Sequence, residues 1–102
     1  MDTIKIRDAY GSLVQRAEAA REVAQFEITA NYLTEIINYG QSLNEILESE
    51  NEEIINSGLK NTLNFLSNIG KNLQSSRDQN VKQKAVVDKV FSVQKLIGNE
   101  VL

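Results

Sequence analysis

The chain has no cysteine, no histidine, no proline and no tryptophan. Without cysteine there is no disulfide framework and no thiolate metal site, and nothing argues for an oxidising compartment. Without histidine as well, the usual general base and soft metal ligands are missing, and Ser-His-Asp or Cys-His catalytic arrangements are impossible. Glycines are few, five in all, and each stands alone, so no glycine-rich loop can cradle a phosphate. No apolar run approaches the ~18 residues of a membrane span. The opening stretch "MDTIKIRDAYGSL" interleaves Asp2, Lys5, Arg7 and Asp8 with its apolar residues, which leaves no hydrophobic segment of a signal peptide. The expected compartment is the cytoplasm, with leaderless secretion as the alternative.

What remains for chemistry is carboxylates, lysine, tyrosine, serine and threonine. Glu45, Glu48, Glu50, Glu52 and Glu53 form an acidic group, but no loop of alternating oxygen ligands with a central glycine accompanies it. It reads as a solvated helix junction. Carboxylates at helical spacing, such as Glu18 and Glu22, lack the Glu-x-x-His companion of a di-iron site. The expectation is a non-enzymatic protein with no cofactor and no metal.

The 102 residues, 41% apolar and 25% charged, suit one globular domain spanning 1–102. Without proline nothing strongly breaks a helix, and the apolar spacing is three and four almost throughout. Ile6, Tyr10, Leu13, Ala17, Ala20 and Ala24 form one alanine-rich seam. From Phe26 the seam shifts and continues as Ala30, Leu33, Ile37, Gly40, Asn44 and Leu47. A second stripe of Tyr32, Ile36, Tyr39, Leu43 and Ile46 runs beside it, leaving a narrow polar face of Asn31, Glu35, Asn38, Ser42 and Glu45. An apolar face this wide must touch at least two neighbours.

Ser49 with Glu52 reads as a capping box that starts a new helix, and the rival turn "NSG" at 56–58 would end the preceding helix among glutamates, against the macrodipole. The new helix runs to about Leu73 along Ile55, Leu59, Thr62, Leu66, Ile69 and Leu73, flanked by Ile54 and Phe65. The polar stretch "QSSRDQN" offers Ser76 with Gln79, or Asp78 alone, as cap of a last helix with Val87, Val90, Gln94, Ile97 and Val101 in its seam and Val86, Phe91 and Val93 beside it. The fold expected is all-α: an antiparallel bundle with one long N-terminal helix over 3–47 and two shorter helices. The alternative is a bend near "FEITAN" that gives a four-helix up-down bundle.

A continuous helix of that length, roughly 68 Å at ~1.5 Å per residue, would protrude from a compact domain and bury its apolar face only against another copy. The expectation is therefore a homodimer with Tyr32, Ile36, Tyr39, Leu43, Asn44, Ile46 and Phe65 as candidate interface, Asn44 acting as a buried polar residue that fixes register. Charge is unevenly spread, −5 over residues 29–60 and +3 over 61–102. With a total of −3 and no helix-turn-helix pattern, nucleic-acid binding is disfavoured, and the imbalance reads as complementarity within or between chains. The functional expectation is a helical protein-protein interaction module of the adaptor, chaperone, inhibitor or immunity type, acting as a homo-oligomer. A structural or secreted helical assembly protein is the alternative, and a nucleic-acid-binding protein the second.

Overall fold

The computed structural model describes residues 1–101 as four helices: α1 (Thr3–Glu22), α2 (Glu27–Leu47), α3 (Glu52–Gln74) and α4 (Val81–Glu100). Connections of four, four and six residues force successive helices to run antiparallel. Helix α1 packs on α2 and α4, and α3 packs on the same two, while the diagonal pairs α1/α3 and α2/α4 do not meet. The result is a square up-down bundle, 41 × 19 × 18 Å. Among the described residues no helix is long and apolar enough to cross a membrane.

The all-α expectation holds, but the long N-terminal helix does not: residues 3–47 are two helices, parted at 23–26. The phase of the apolar residues explains why. Ala20 and Thr29, the last buried residue of α1 and the first of α2, are nine positions apart, two and a half helical turns. In one continuous helix they would point in opposite directions. Only a break lets both face the same core.

No local breaker makes that break; a residue some fifty positions away secures it. Helix α2 starts at Phe26 without a side-chain cap of its own. Instead the buried carboxylate of Asp78, in the α3–α4 connection, accepts from the backbone N–H of Gln25 at 3.1 and 3.2 Å and of Phe26 at 3.2 Å. A continuing helix would have spent these N–H groups on its own carbonyls. Ser76 reinforces the clasp: its hydroxyl bonds the buried Thr29 hydroxyl at 2.6 Å and accepts from Asp78 N–H at 3.2 Å. The other helices carry conventional caps, Asp2 accepting from Lys5 N–H, Asn51 from Glu53 and Ile54, and Asn80 from Gln83. The expected caps Ser49 and Asp78 are thus each displaced: Ser49 Oγ accepts from Asn51 N–H, and Asp78 serves α2, not α4.

The core seam of α3 is the expected one, with Ile55, Leu59, Thr62, Leu66, Ile69 and Leu73 all buried. In α4 the buried line is Gln83, Val86, Val90, Val93 and Ile97, rotated slightly from the expected seam, so Val87 and Gln94 are only half-buried. Gln83 donates its amide to Leu73 O at 2.8 Å, while its Oε1 is buried without a partner. Glycine at 58 is required by close approach: a Cβ there would lie 2.6 Å from Cγ2 of Ile46, so α2 and α3 come together at this level only because the side chain is missing.

Two outcomes follow for stability. Asp78→Ala strands the Gln25 and Phe26 N–H groups and should lower the unfolding free energy by about 2 kcal/mol in urea titration; a loss under about 0.5 kcal/mol would show that the break does not depend on the clasp. Gly58→Ala should destabilise despite the ~1 kcal/mol that alanine normally gains over glycine in a helix, whereas Gly11→Ala, with nothing within 4 Å, should stabilise by up to that amount.

Candidate functional site

Helix α2 has two intramolecular neighbours, and this accounts for its doubled stripe. Its buried line runs between the two stripes: Thr29, Leu33, Ile36, Leu43 and Leu47. On one flank Gly40 lies against Tyr10 and Val14 of α1. On the other, Tyr39 stacks on Phe65 of α3 with ring centroids 4.3 Å apart and planes 7° from parallel, and its hydroxyl bonds Thr62 Oγ1 at 2.7 Å. Thr62 in turn donates to Gly58 O, so Tyr39 is the donor in that pair.

The seven candidate interface residues therefore separate. Ile36 and Leu43 are fully buried in the chain's own core. Asn44 is not the buried polar residue expected; it is exposed, at the rim of the cleft between α1 and α2. Tyr32, Tyr39, Ile46 and Phe65 are half-buried along the junction of α2 and α3, where Tyr39 and Phe65 are in contact.

This α2–α3 groove also holds residues outside the candidate interface: Ile28, which the sequence reading missed, and Phe26 and Ile54, which it assigned to a seam and to a seam's flank. Ile28 is 58% exposed, Phe26 37% and Ile54 53%. At one end Phe26, Ile28 and Tyr32 line a cleft of about 340 Å³ with Asn72, Ser76 and Arg77, whose guanidinium lies 6.0 Å from the Phe26 ring. At the other end Ile46, Ile54 and Gly58 line an open cleft of about 520 Å³ with Asn61 and Glu53. Between Ile28 and Asn44 on α2, and between Ile54 and Gly70 on α3, the only charged residues are Glu35 and Lys60. The signal for Ile28 was present: it stands one turn before Tyr32 and extends the second stripe. The cleft between α1 and α2, about 380 Å³, is floored by the buried Tyr10 and by half-buried Val14 and Ile37, and leaves no large apolar side chain exposed.

The charge imbalance resolves into a gradient along the bundle. The end built from the start of α1, the α2–α3 connection and the end of α4 carries Lys5, Arg7 and Lys95 against the five clustered glutamates, Asp2, Asp8 and Glu100, a net of −5. The opposite end carries Arg16, Arg21, Lys71, Arg77, Lys82 and Lys84 against Glu18, Glu22, Glu27 and Asp78, a net of +2. Of the basic residues after position 60, Lys71, Arg77, Lys82 and Lys84 thus gather at the pole away from the acidic junction, while Lys95 near the end of α4 shares its pole.

Tyr10 joins the groove to the far helix. Its ring lies 6.2 Å from that of Tyr39, and its hydroxyl donates to Ile36 O at 2.7 Å. Burial, and secondarily the neighbouring Tyr39, push its ionisation well above the ordinary tyrosine range. Among the described residues no group of three acidic, histidine or cysteine side chains could hold a metal ion. Comparison with known protein families, curated proteins and solved structures finds no match to this chain.

The Tyr10 shift has a definite sign. The folded chain keeps the phenol protonated, whereas the unfolded chain releases the proton near pH 10, so its stabilisation is complete below that pH and declines above it. The urea midpoint should fall as pH rises beyond about 10, and Tyr10→Phe, about 1 kcal/mol less stable at pH 7, should show a shallower decline. Parallel slopes for the two proteins would dissociate the alkaline limb from Tyr10.

Proposed function

We propose that the chain is a small, non-enzymatic, helical protein-binding module, of the adaptor, chaperone, inhibitor or immunity type, and that its working surface is the groove between α2 and α3. The observation that carries this reading is the placement of exposed Ile28 and Ile54 at the two ends of a groove whose middle is half-exposed aromatic ring. Apolar side chains left in solvent along one line, with only Glu35 and Lys60 charged between Ile28 and Asn44 on α2 and between Ile54 and Gly70 on α3, have the composition of an interface core. Asparagines 61, 64, 68 and 72 border the line as a neutral polar rim.

The test uses residues whose side chains lie outside the buried core. Ile28→Glu combined with Ile54→Glu should keep the helical circular dichroism and the melting temperature within a few degrees, yet abolish specific binding of the protein captured by the wild type from its native cells. Ser92→Glu, on the exposed surface of α4, serves as the control and should leave capture unchanged. Equal capture by all three proteins would remove the α2–α3 groove as the binding surface.

A further inference from the structure

We infer that the occupant of the α2–α3 groove is a second copy of this chain, lying antiparallel to the first about a two-fold axis near the middle of α2. The inference rests on the reading of that groove as the working surface, and three features of the molecule support it.

The first is size. A lateral face of the bundle extends over 41 × 19 Å, long enough to accommodate the roughly 800 Å² per partner of a standard stable interface. The ends, 19 × 18 Å, offer less than half of that, too little for a discrete complex formed end to end.

The second is register. Ile37 is the midpoint of α2, and Ile28 and Ile46 stand nine residues to either side of it, about 13.5 Å each way. Reversing one copy about this midpoint brings its exposed Ile28 level with the open cleft that Ile46, Ile54 and Gly58 form on the other. Symmetry makes the contact twice, and the patch is self-complementary as a closed two-fold dimer requires.

The third is charge. A parallel pair would set the −5 ends side by side, whereas the antiparallel pair sets each against a +2 end. At the groove itself Arg77 lines the Ile28 cleft and Glu53 the Ile54 cleft, so each Arg77 comes level with the other copy's Glu53. Screening over a Debye length of about 8 Å keeps this from supplying much affinity. It selects the orientation, and the apolar contacts hold it.

Sedimentation of the full chain at tens of micromolar in physiological salt should show a dimer that does not grow with concentration. Ile28→Glu and Ile54→Glu should each sediment as folded monomers. Because the chain has no cysteine, orientation can be read directly: under mild oxidation Ile28→Cys should crosslink to Ile54→Cys when the two are mixed, and neither should crosslink to itself. A wild type that is monomeric at hundreds of micromolar would overturn the inference. If Ile28→Glu with Ile54→Glu still abolished capture of a different protein, the reading of the groove would survive that failure, and if capture too were unaffected, both would fall. Open-ended growth, or Ile28→Cys crosslinking to itself, would overturn the antiparallel arrangement.

Discussion

One buried carboxylate decides the topology. By holding the N–H groups of Gln25 and Phe26, Asp78 separates two segments that are each helical and have no proline or glycine between them. The separation is worth making because the apolar lines of α1 and α2 are half a turn out of phase. Joined, they would serve two different cores; parted, they serve one. The buried carboxylate is satisfied by the two backbone N–H groups, and beside it Ser76 Oγ accepts from Asp78 N–H and bonds the Thr29 hydroxyl, a satisfied polar cluster in place of an apolar plug.

From that break the rest of the bundle follows. Once α1 turns back on α2, the double stripe of α2 is divided between α1 and α3, and the Tyr10–Tyr39–Phe65 series of rings runs through three helices. The contact with α3 is close where Gly58 admits Ile46 near one end and where Tyr39 stacks on Phe65 in the middle. Ile28 and Ile54 have no helix beside them wide enough to cover them. The exposed apolar line is thus a consequence of the square cross-section: a helix with an apolar face wider than two neighbours can bury shows its margin at the groove.

The seam of α3 was legible residue by residue, because its phase is constant from Ile55 to Leu73 and one neighbour lies on each side. The polar face of α2 was equally legible, and all five of its residues are exposed. The position of the core line on α2 was not, since two parallel stripes are equally apolar and only the placement of α1 and α3 shows that burial is deepest between them. Asn44 was misplaced for that reason. The break at 23–26 was half-legible: the change of phase after Ala20 is in the sequence, but the partner that secures it sits at 78, where local reading assigns an aspartate before a helix to cap that helix. Tyr32, Tyr39 and Ile46 line the groove because they share a stripe, Phe65 joins them from the flank of the α3 seam, and Ile36 and Leu43 leave the set because that stripe also borders the core.

The sequence distance of the clasp has a bearing on the order of folding. Three of the four helix pairs join neighbours across short connections, while α1 meets α4 only when the ring closes. Contacts this local belong to fast-folding topologies. Asp78 reaches Gln25 across 53 residues, so it arrives late. Until it does, nothing in residues 3–47 stops helix from running through Val23 to Phe26, and the early chain is expected to sample the continuous rod that the native state forbids. In the native state a single aspartate, bonded to the N–H groups of Gln25 and Phe26, excludes that rod.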